Sequence, residues 1–162
     1  MQQKSLDCTI LILKHRLEAN EQRPAIEVIT EYSTLPQVEC FPGQLNQVFM
    51  NILANAINAL DESNTNRSFQ EIQINHNRIT IKTSLENQGV KITITDNGKG
   101  MTEEVKQKIF DHLFTTKAVG NGMGLGLAIA RQIIVEKHGG AIAVNSQLGE
   151  GTEFAIRLPL SA

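Results

Sequence analysis

The chain has no tryptophan, a single tyrosine and only two cysteines. Cys8 and Cys40 form neither a CxxC pair nor a metal-ligand spacing. A zinc module and a disulfide scaffold are therefore excluded, and two reduced thiols of an intracellular protein are expected. No apolar run approaches the ~20 residues of a membrane span, and no signal-peptide pattern opens the chain. The expected location is cytoplasmic, with any membrane anchor left to the rest of a longer protein. A net charge of −2 offers no basic face, so nucleic acid is not an expected partner. There is no GxxxxGK[ST] P-loop, because Gly98-Lys99 runs into Gly100-Met101, and no full GxGxxG stands between a strand and a helix. Internal repeats and low-complexity tracts are absent too. What remains is an ordinary composition over 162 residues. That length suits one domain burying roughly 70% of its unfolded surface.

Hydrophobic spacing divides the chain into helices and strands. Leu6, Ile10, Leu13 and Leu17 recur at steps of four, three and four, which predicts an amphipathic helix over residues 5–19. Alternation predicts strands over 25–32, with Ile26, Val28 and Thr30 on one face, and over 37–41. The strongest helix signal covers 44–61. There Leu45, Val48, Phe49, Ile52, Leu53, Ala56 and Leu60 share one apolar arc, opposite Gln44, Gln47, Asn51, Asn55 and Asn58. Strands over 71–84 and 89–95 are expected to form a hairpin through Glu86-Asn87-Gln88-Gly89. A short helix capped by Thr102 follows, ending near Phe110. A helix over 125–137, stopped by His138-Gly139-Gly140, and a strand pair, 141–146 with 152–158, complete the chain. This order predicts an α+β fold, a two-layer α/β sandwich. Its mixed, mostly antiparallel five-stranded sheet would carry about three helices on one face.

Gly98, Gly100, Gly120, Gly122, Gly124 and Gly126, half of the 12 glycines, fall between Asp96 and Leu127. Glycine is costly in ordered structure and is kept where the backbone turns sharply or approaches a ligand. Two clusters with a segment between them outline two edges of a pocket and a cover. The first, Asp96-x-Gly98-x-Gly100, ends a strand; turns use these residue types for structural reasons as well, so both readings stand. The second runs at alternate positions into a helix, whose N-terminal N–H groups and dipole suit phosphate. Asn51, Asn55 and Asn58 share one helix face, although asparagine is a worse helix former than alanine by roughly 0.5–0.7 kcal/mol. A merely solvated face would use Glu, Lys or Gln. An amide oxygen, by contrast, can hold Mg2+ beside a polyanion without adding charge repulsion. These features point to a nucleotide.

Five motifs stand in order along the chain: Asn51-Ile52-Leu53-Ala54-Asn55-Ala56; Asp96-x-Gly98-x-Gly100; Ile109-Phe110-Asp111 with Phe114-Thr115-Thr116-Lys117; Gly122-x-Gly124-Leu125-Gly126-Leu127; and Gly149-x-Gly151-Thr152. Each is weak alone. Together, over about residues 25–160, they resemble the N, G1, F, G2 and G3 boxes of the catalytic, ATP-binding domain of two-component sensor histidine kinases. The resemblance implies the Bergerat sandwich shared with gyrase, the Hsp90 chaperones and MutL, and it implies ATP and Mg2+ as ligands. Asp96 would accept a hydrogen bond from the adenine amino group, helped by Thr152 through a water. Gly98, Gly100 and Met101 would pass close to the base, and Asn55 would be the Mg2+ ligand. Asn51, Asn58, Lys117, Gly122, Gly124, Leu125 and Gly126 would serve the phosphate side, with Asn51 and Lys117 as the catalytic pair. A mobile lid over about residues 99–124 would be anchored by Phe110 and Phe114. The chain departs from the family at Asn58, where a basic residue is usual, so phosphate neutralisation rests more on Lys117. It departs again at Asp111-His112-Leu113-Phe114, where the F box often reads Asp-Pro before its second aromatic.

The resemblance also implies an acceptor histidine on a dimerisation hairpin, usually followed by an acidic residue. His15 precedes Arg16-Leu17-Glu18, His76 falls in an expected strand, His112 in the lid and His138 at a helix end. The acceptor is therefore expected elsewhere. Residues 1–20 would be the end of that hairpin's second helix or a linker, and 21–162 the catalytic domain. The chain would be a monomeric fragment of a longer kinase, partnered by its own dimerisation and phosphoacceptor domain and, downstream, by a response regulator. Two other assignments share the fold: a serine kinase of the anti-sigma type, and an ATPase of the gyrase, Hsp90 or MutL type. The ATPases place a glutamate base where this chain has Asn51, and an amide cannot take a proton from water. A nucleotide-sensing module without transfer is a third assignment.

Overall fold

The computed structural model describes residues 17–21, 23–33, 41–86, 89–110 and 123–159. Residues 5–16 of the helix expected over 5–19, residues 37–40 of the strand expected over 37–41 and residues 111–122 of the expected lid lie outside the described residues. Strands β1 (Glu27–Glu31), β2 (Arg78–Glu86), β3 (Gly89–Asp96), β4 (Ala141–Gln147) and β5 (Gly151–Pro159) form one sheet in the order β1-β2-β3-β5-β4. β1 runs parallel to β2, and the other pairs are antiparallel, giving the mixed five-stranded sheet that the alternation predicts. The expected hairpin closes with Glu86 opposite Gly89.

Because successive strand residues point to opposite faces, the register sorts the inner face into cross-strand rows. Thr83, Ile92, Ile156 and Ile142 form one row, and Ile81, Ile94, Phe154 and Val144 the next. The row beyond reads Ile79, Asp96, Thr152, Ser146 and is polar over three strands. The outer face carries Thr and charged residues, including cross-strand pairs Arg78–Glu27 and Arg157–Glu86. These pairs are about half exposed, so each contributes under about 1 kcal/mol.

The inner face is covered first by α1 (Pro42–Ser63), whose apolar arc from Leu45 to Leu60 is buried. Burying each large side chain of that arc contributes roughly 1.5–3 kcal/mol. α1 starts two residues earlier than the expected 44 because Pro42 fits the first helical position, where no N–H is needed. A buried Arg23 ties the entering chain to the far end of α1, donating to the Asp61 carboxylate at 2.7 Å and to the Glu18 carbonyl at 3.0 Å.

One expected strand is corrected. Residues 71–74 belong not to β2 but to a short helix, α2 (Phe69–Ile74), and β2 begins only at Arg78. Ser68 and Glu71 form a reciprocal capping box, which satisfies two N–H groups at the helix start and outweighs the Ile72–Ile74 alternation. His76 consequently sits in the connection before β2, where its carbonyl accepts from Asn97 Nδ2 at 2.8 Å. The helix expected over 125–137 is also subdivided. After α3 (Glu103–Lys108), α4 runs over Met123–Gln132 and widens into a π-helical turn over Ile133–Lys137. His138 closes that turn by donating from Nδ1 to the Ile133 carbonyl, while its Nε2 accepts the Phe41 N–H, each at 3.0 Å.

The corrected helix separates two isoleucines that a strand would place on one face. Ile72 is 1% exposed and Ile74 87%. Ile72→Ala should therefore lower the unfolding free energy by about 2–4 kcal/mol, whereas Ile74→Ala should change it by less than about 0.5 kcal/mol. Urea titration of both variants makes the comparison; similar losses would favour a strand.

Candidate functional site

The polar end of the inner face opens into a cavity of about 190 Å³. Asn55, Ala59 and Glu62 of α1 form one wall and residues 99–102 the opposite one, with Val105 and Ile109 at the side and Thr152 at the floor. Leu148, two thirds exposed on the β4–β5 turn, stands at the rim. Lys99 and Glu62 are joined by a 2.7 Å ion pair between the two walls.

Asp96 ends β3 directly opposite Thr152, and only 4% of its surface is exposed. Burial pushes its carboxyl up from 3.8 to about 6, although backbone N–H groups of Gly98 and Thr152 pull the other way. The Gly98 N–H donates to Asp96 Oδ1 at 2.8 Å. Gly98 has no room for a side chain: a Cβ there would lie 2.9 Å from that oxygen and 3.2 Å from the Ala59 carbonyl. Gly100 takes φ +74°, and a Cβ would meet the Gln147 carbonyl oxygen at 2.0 Å. The sharp return after β3 thus depends on glycine, and the Gly149 N–H reinforces it by donating to the Lys99 carbonyl at 2.6 Å. Met101, half-buried, donates its N–H to Ser146 Oγ at 2.8 Å.

The asparagine face of α1 points to this end of the molecule, and its members divide. Asn55 lines the cavity. Asn51, one turn earlier, donates Nδ2–H to the Gly126 carbonyl at 3.0 Å and so holds the first turn of α4. Gly126 permits the approach, since a Cβ there would lie 3.3 Å from Asn51 Cγ. Asn58 is half-buried on the same helix. Gly124 and Leu125 belong to the first turn of α4. Lys117 and Gly122 lie outside the described residues. Phe110 meets Phe154 of the core edge-on at 6.3 Å, while Phe114 lies outside the described residues.

The motifs do not mark Glu62, Lys99, Val105, Leu148 or Ser146. Ser146 alone leaves a trace in the sequence: it continues the Ile142–Val144 alternation with a polar residue at an inward position. Among the described residues no three His, Cys, Asp or Glu side chains converge into a cage for a metal.

Residues 41–162 match the family of histidine kinase-, DNA gyrase B-, and HSP90-like ATPases, and the chain belongs to that family. Within it, the chain has the fold and sequence of the catalytic domain of a two-component sensor histidine kinase. It is 40% identical over 132 residues to the sensor histidine kinase ZraS of Escherichia coli (strain K12), covering 82% of this chain and 25% of that protein. It is 34% identical over 152 residues to sporulation kinase E of Bacillus subtilis (strain 168), covering 94% and 18%. The chain thus spans a quarter or less of the length of these curated relatives. Its structure superposes on the nucleotide-free catalytic domain of histidine kinase ThkA with a TM-score of 0.77 at 26% identity, covering 98% of this chain and 92% of that one. Full-length ShkA in complex with AMPPNP gives 0.75 at 25% identity, covering 96% and 29%.

The buried carboxylate has a thermodynamic signature. Asp96 ionises near 3.8 when unfolded and near 6 when folded, so between those values the folded chain holds the extra proton. Stability then falls as pH rises through this window and levels off above it. Asp96→Asn has no such proton. Its unfolding free energy relative to the wild type should rise by about 2–3 kcal/mol from about pH 4 to about pH 7. Urea titrations across that range measure the difference, and a flat one would mean that Asp96 ionises as it does in water.

Proposed function

We propose that this domain binds ATP as its Mg2+ complex and donates the γ-phosphoryl group to a histidine on a separate dimerisation and phosphotransfer domain, in two-component signalling. The observation that carries the reading is Asp96, a buried carboxylate directly opposite Thr152, which lines the cavity. A buried anion that accepts hydrogen bonds selects a ligand with N–H groups to offer, and the exocyclic amino group of adenine is such a donor. The polar face of α1 and the first turn of α4 supply the other end of a nucleotide site. Free N–H groups at the start of α4, over Gly124 to Gly126, suit phosphate oxygens, and Lys117 would add a cation.

The donor set fits Mg2+ of the kind that nucleotides carry. Asn55 offers one neutral oxygen beside the cavity, and such an ion takes its remaining ligands from phosphate and water. Bound there, Mg2+ would neutralise charge between the phosphates. Asn51 holds α4 by its amide and cannot remove a proton from water, which favours transfer over hydrolysis. In the transfer the bond from the γ-phosphorus to the bridging oxygen breaks, its electron pair leaves with ADP, and an imidazole nitrogen forms the new bond to phosphorus. The acceptor would come from outside: His138 has both ring nitrogens engaged. Its own dimerisation and phosphoacceptor domain and a response regulator would be the partners, with the domain itself a monomer at the cytoplasmic side. Among the described residues no helix is long and apolar enough to cross a membrane.

Calorimetry of the wild type should show Mg2+-dependent ATP binding with little turnover. Asp96→Asn should weaken ATP and ADP by about 10- to 100-fold, the worth of a charged hydrogen bond, while sparing inorganic triphosphate. Equal loss for all three ligands would reduce Asp96 to a folding role. Mixing the chain with histidine and serine acceptor domains separates the kinase assignments, because a phosphohistidine is acid-labile and a phosphoserine is not.

A further inference from the structure

We propose that Ser146 is a positioning residue for base selection: it turns the Thr152 hydroxyl so that the cavity floor only accepts hydrogen bonds, which favours a 6-aminopurine over a 6-oxopurine. The inference rests on the adenine-nucleotide reading above and deepens it.

Ser146 and Thr152 are direct cross-strand partners on β4 and β5, both buried. Ser146 Oγ lies 2.8 Å from the Gly151 carbonyl oxygen, 2.9 Å from Thr152 Oγ1 and 2.8 Å from the Met101 nitrogen. A hydroxyl has one proton and two lone pairs. The Gly151 carbonyl can only accept, so it takes the Ser146 proton. The Met101 N–H can only donate, so it fills one Ser146 lone pair. The remaining lone pair needs a proton, and Thr152 supplies it. Two backbone groups that Thr152 Oγ1 does not itself bond through this network thus set the direction of its hydroxyl.

With its proton turned to Ser146, Thr152 faces the cavity with lone pairs alone. Beside it, across the β3–β5 pair, stands Asp96, which accepts only when ionised. Two acceptors side by side match the two N–H bonds of an exocyclic amino group, directly or through a water that donates to both. A 6-oxo group would bring lone pairs to lone pairs, and an unpaired buried acceptor is expensive. Removing Ser146 releases the Thr152 proton, which can then swing toward the cavity and donate to a 6-oxo oxygen.

Titration calorimetry of the whole chain with ADP and IDP tests this. Ser146→Ala should narrow the ADP-over-IDP affinity ratio about ten-fold, the worth of one hydrogen bond, whereas Ser146→Thr, which keeps the hydroxyl, should retain it. Thr152→Val removes the lone pairs that face the cavity while keeping the Ser146 hydroxyl on the Gly151 carbonyl, and should narrow the ratio as well. It also serves if circular dichroism shows Ser146→Ala unfolded. A Ser146 that only supports the fold would weaken both ligands by the same factor. That result, or an unchanged ratio in Thr152→Val, overturns the inference. A wild type that binds inorganic triphosphate but distinguishes neither diphosphate would instead overturn the base-binding reading, and this inference with it, before any variant is made.

Discussion

The structure is organised by the need to bury one carboxylate. Asp96 belongs to a row that, by its neighbours, would be apolar: the next two rows of the inner face are isoleucine and phenylalanine over β3 and β5. An isolated charge in such a place would neutralise itself or unfold the end of the sheet. Backbone N–H groups of Gly98 and Thr152 partly offset this, and that of Gly98 reaches the carboxylate because the chain reverses immediately after β3. The reversal requires Gly98 against α1 and Gly100 in the left-handed region. Gly151, at φ +103°, is equally constrained, since a Cβ there would fall 2.1 Å from the Asp96 carbonyl oxygen. The glycines that read as ligand-binding motifs therefore have a prior structural task, and the cavity is its by-product. Binding and folding use the same backbone groups.

Helix α1 connects this end of the molecule with the hydrophobic core. Its arc from Leu45 to Leu60 is buried, while the asparagine face one side round meets the site. A helix fixes the rotation of every residue once its apolar side is docked, so core packing sets the orientation of Asn51 and Asn55. Asn51 then shows that one polar stripe can hold two kinds of role. Its amide closes onto the Gly126 carbonyl, joining helices far apart in sequence, and Asn55 remains at the cavity wall. The choice of asparagine over a better helix former reflects a geometric need in both cases.

Much of this was legible in the sequence because the signals were periodic or sterically forced. The alternation of Val90, Ile92 and Ile94 gives β3 and its inner face, and the turn beyond it follows from glycine. The Leu45–Leu60 arc gives α1, and the five motifs give the family. Where the reading failed, two local signals competed. Ile72 and Ile74 alternate as in a strand, but the Ser68–Glu71 capping box acts over the same residues and starts a helix. The π-helical turn at Ile133–Lys137 has no pattern of its own; it ends at His138, whose ring meets Phe41, 97 residues away in the chain. Ser146 is invisible to motifs for a related reason. Its significance lies in the register of β4 against β5, which places it opposite Thr152.

The two unexpected contacts of α4 have a joint consequence. His138 joins the end of the π-helical turn to the start of α1 through Phe41, and Asn51 joins α1 to the start of α4 through Gly126. The ten residues from Phe41 to Asn51 and the twelve from Gly126 to His138 run in opposite directions, so the pair is antiparallel and tied at both ends. At 1.5 Å per residue the ties are about 15 Å apart. Two polar ties at that separation resist both sliding and pivoting, which apolar packing alone resists poorly. Asn55 lies one turn beyond the tie at Asn51, so its distance from the N–H groups opening α4 is set by the pair and not by either helix alone. The carboxylate end is carried instead by the sheet, and the close approach of Gly98 to the Ala59 backbone joins the two bodies. A ligand spanning from Asp96 to the start of α4 would therefore read a distance that three local contacts determine: the Asn51 amide on the Gly126 carbonyl, the His138 ring on the Phe41 N–H, and the backbone of Gly98 against that of Ala59.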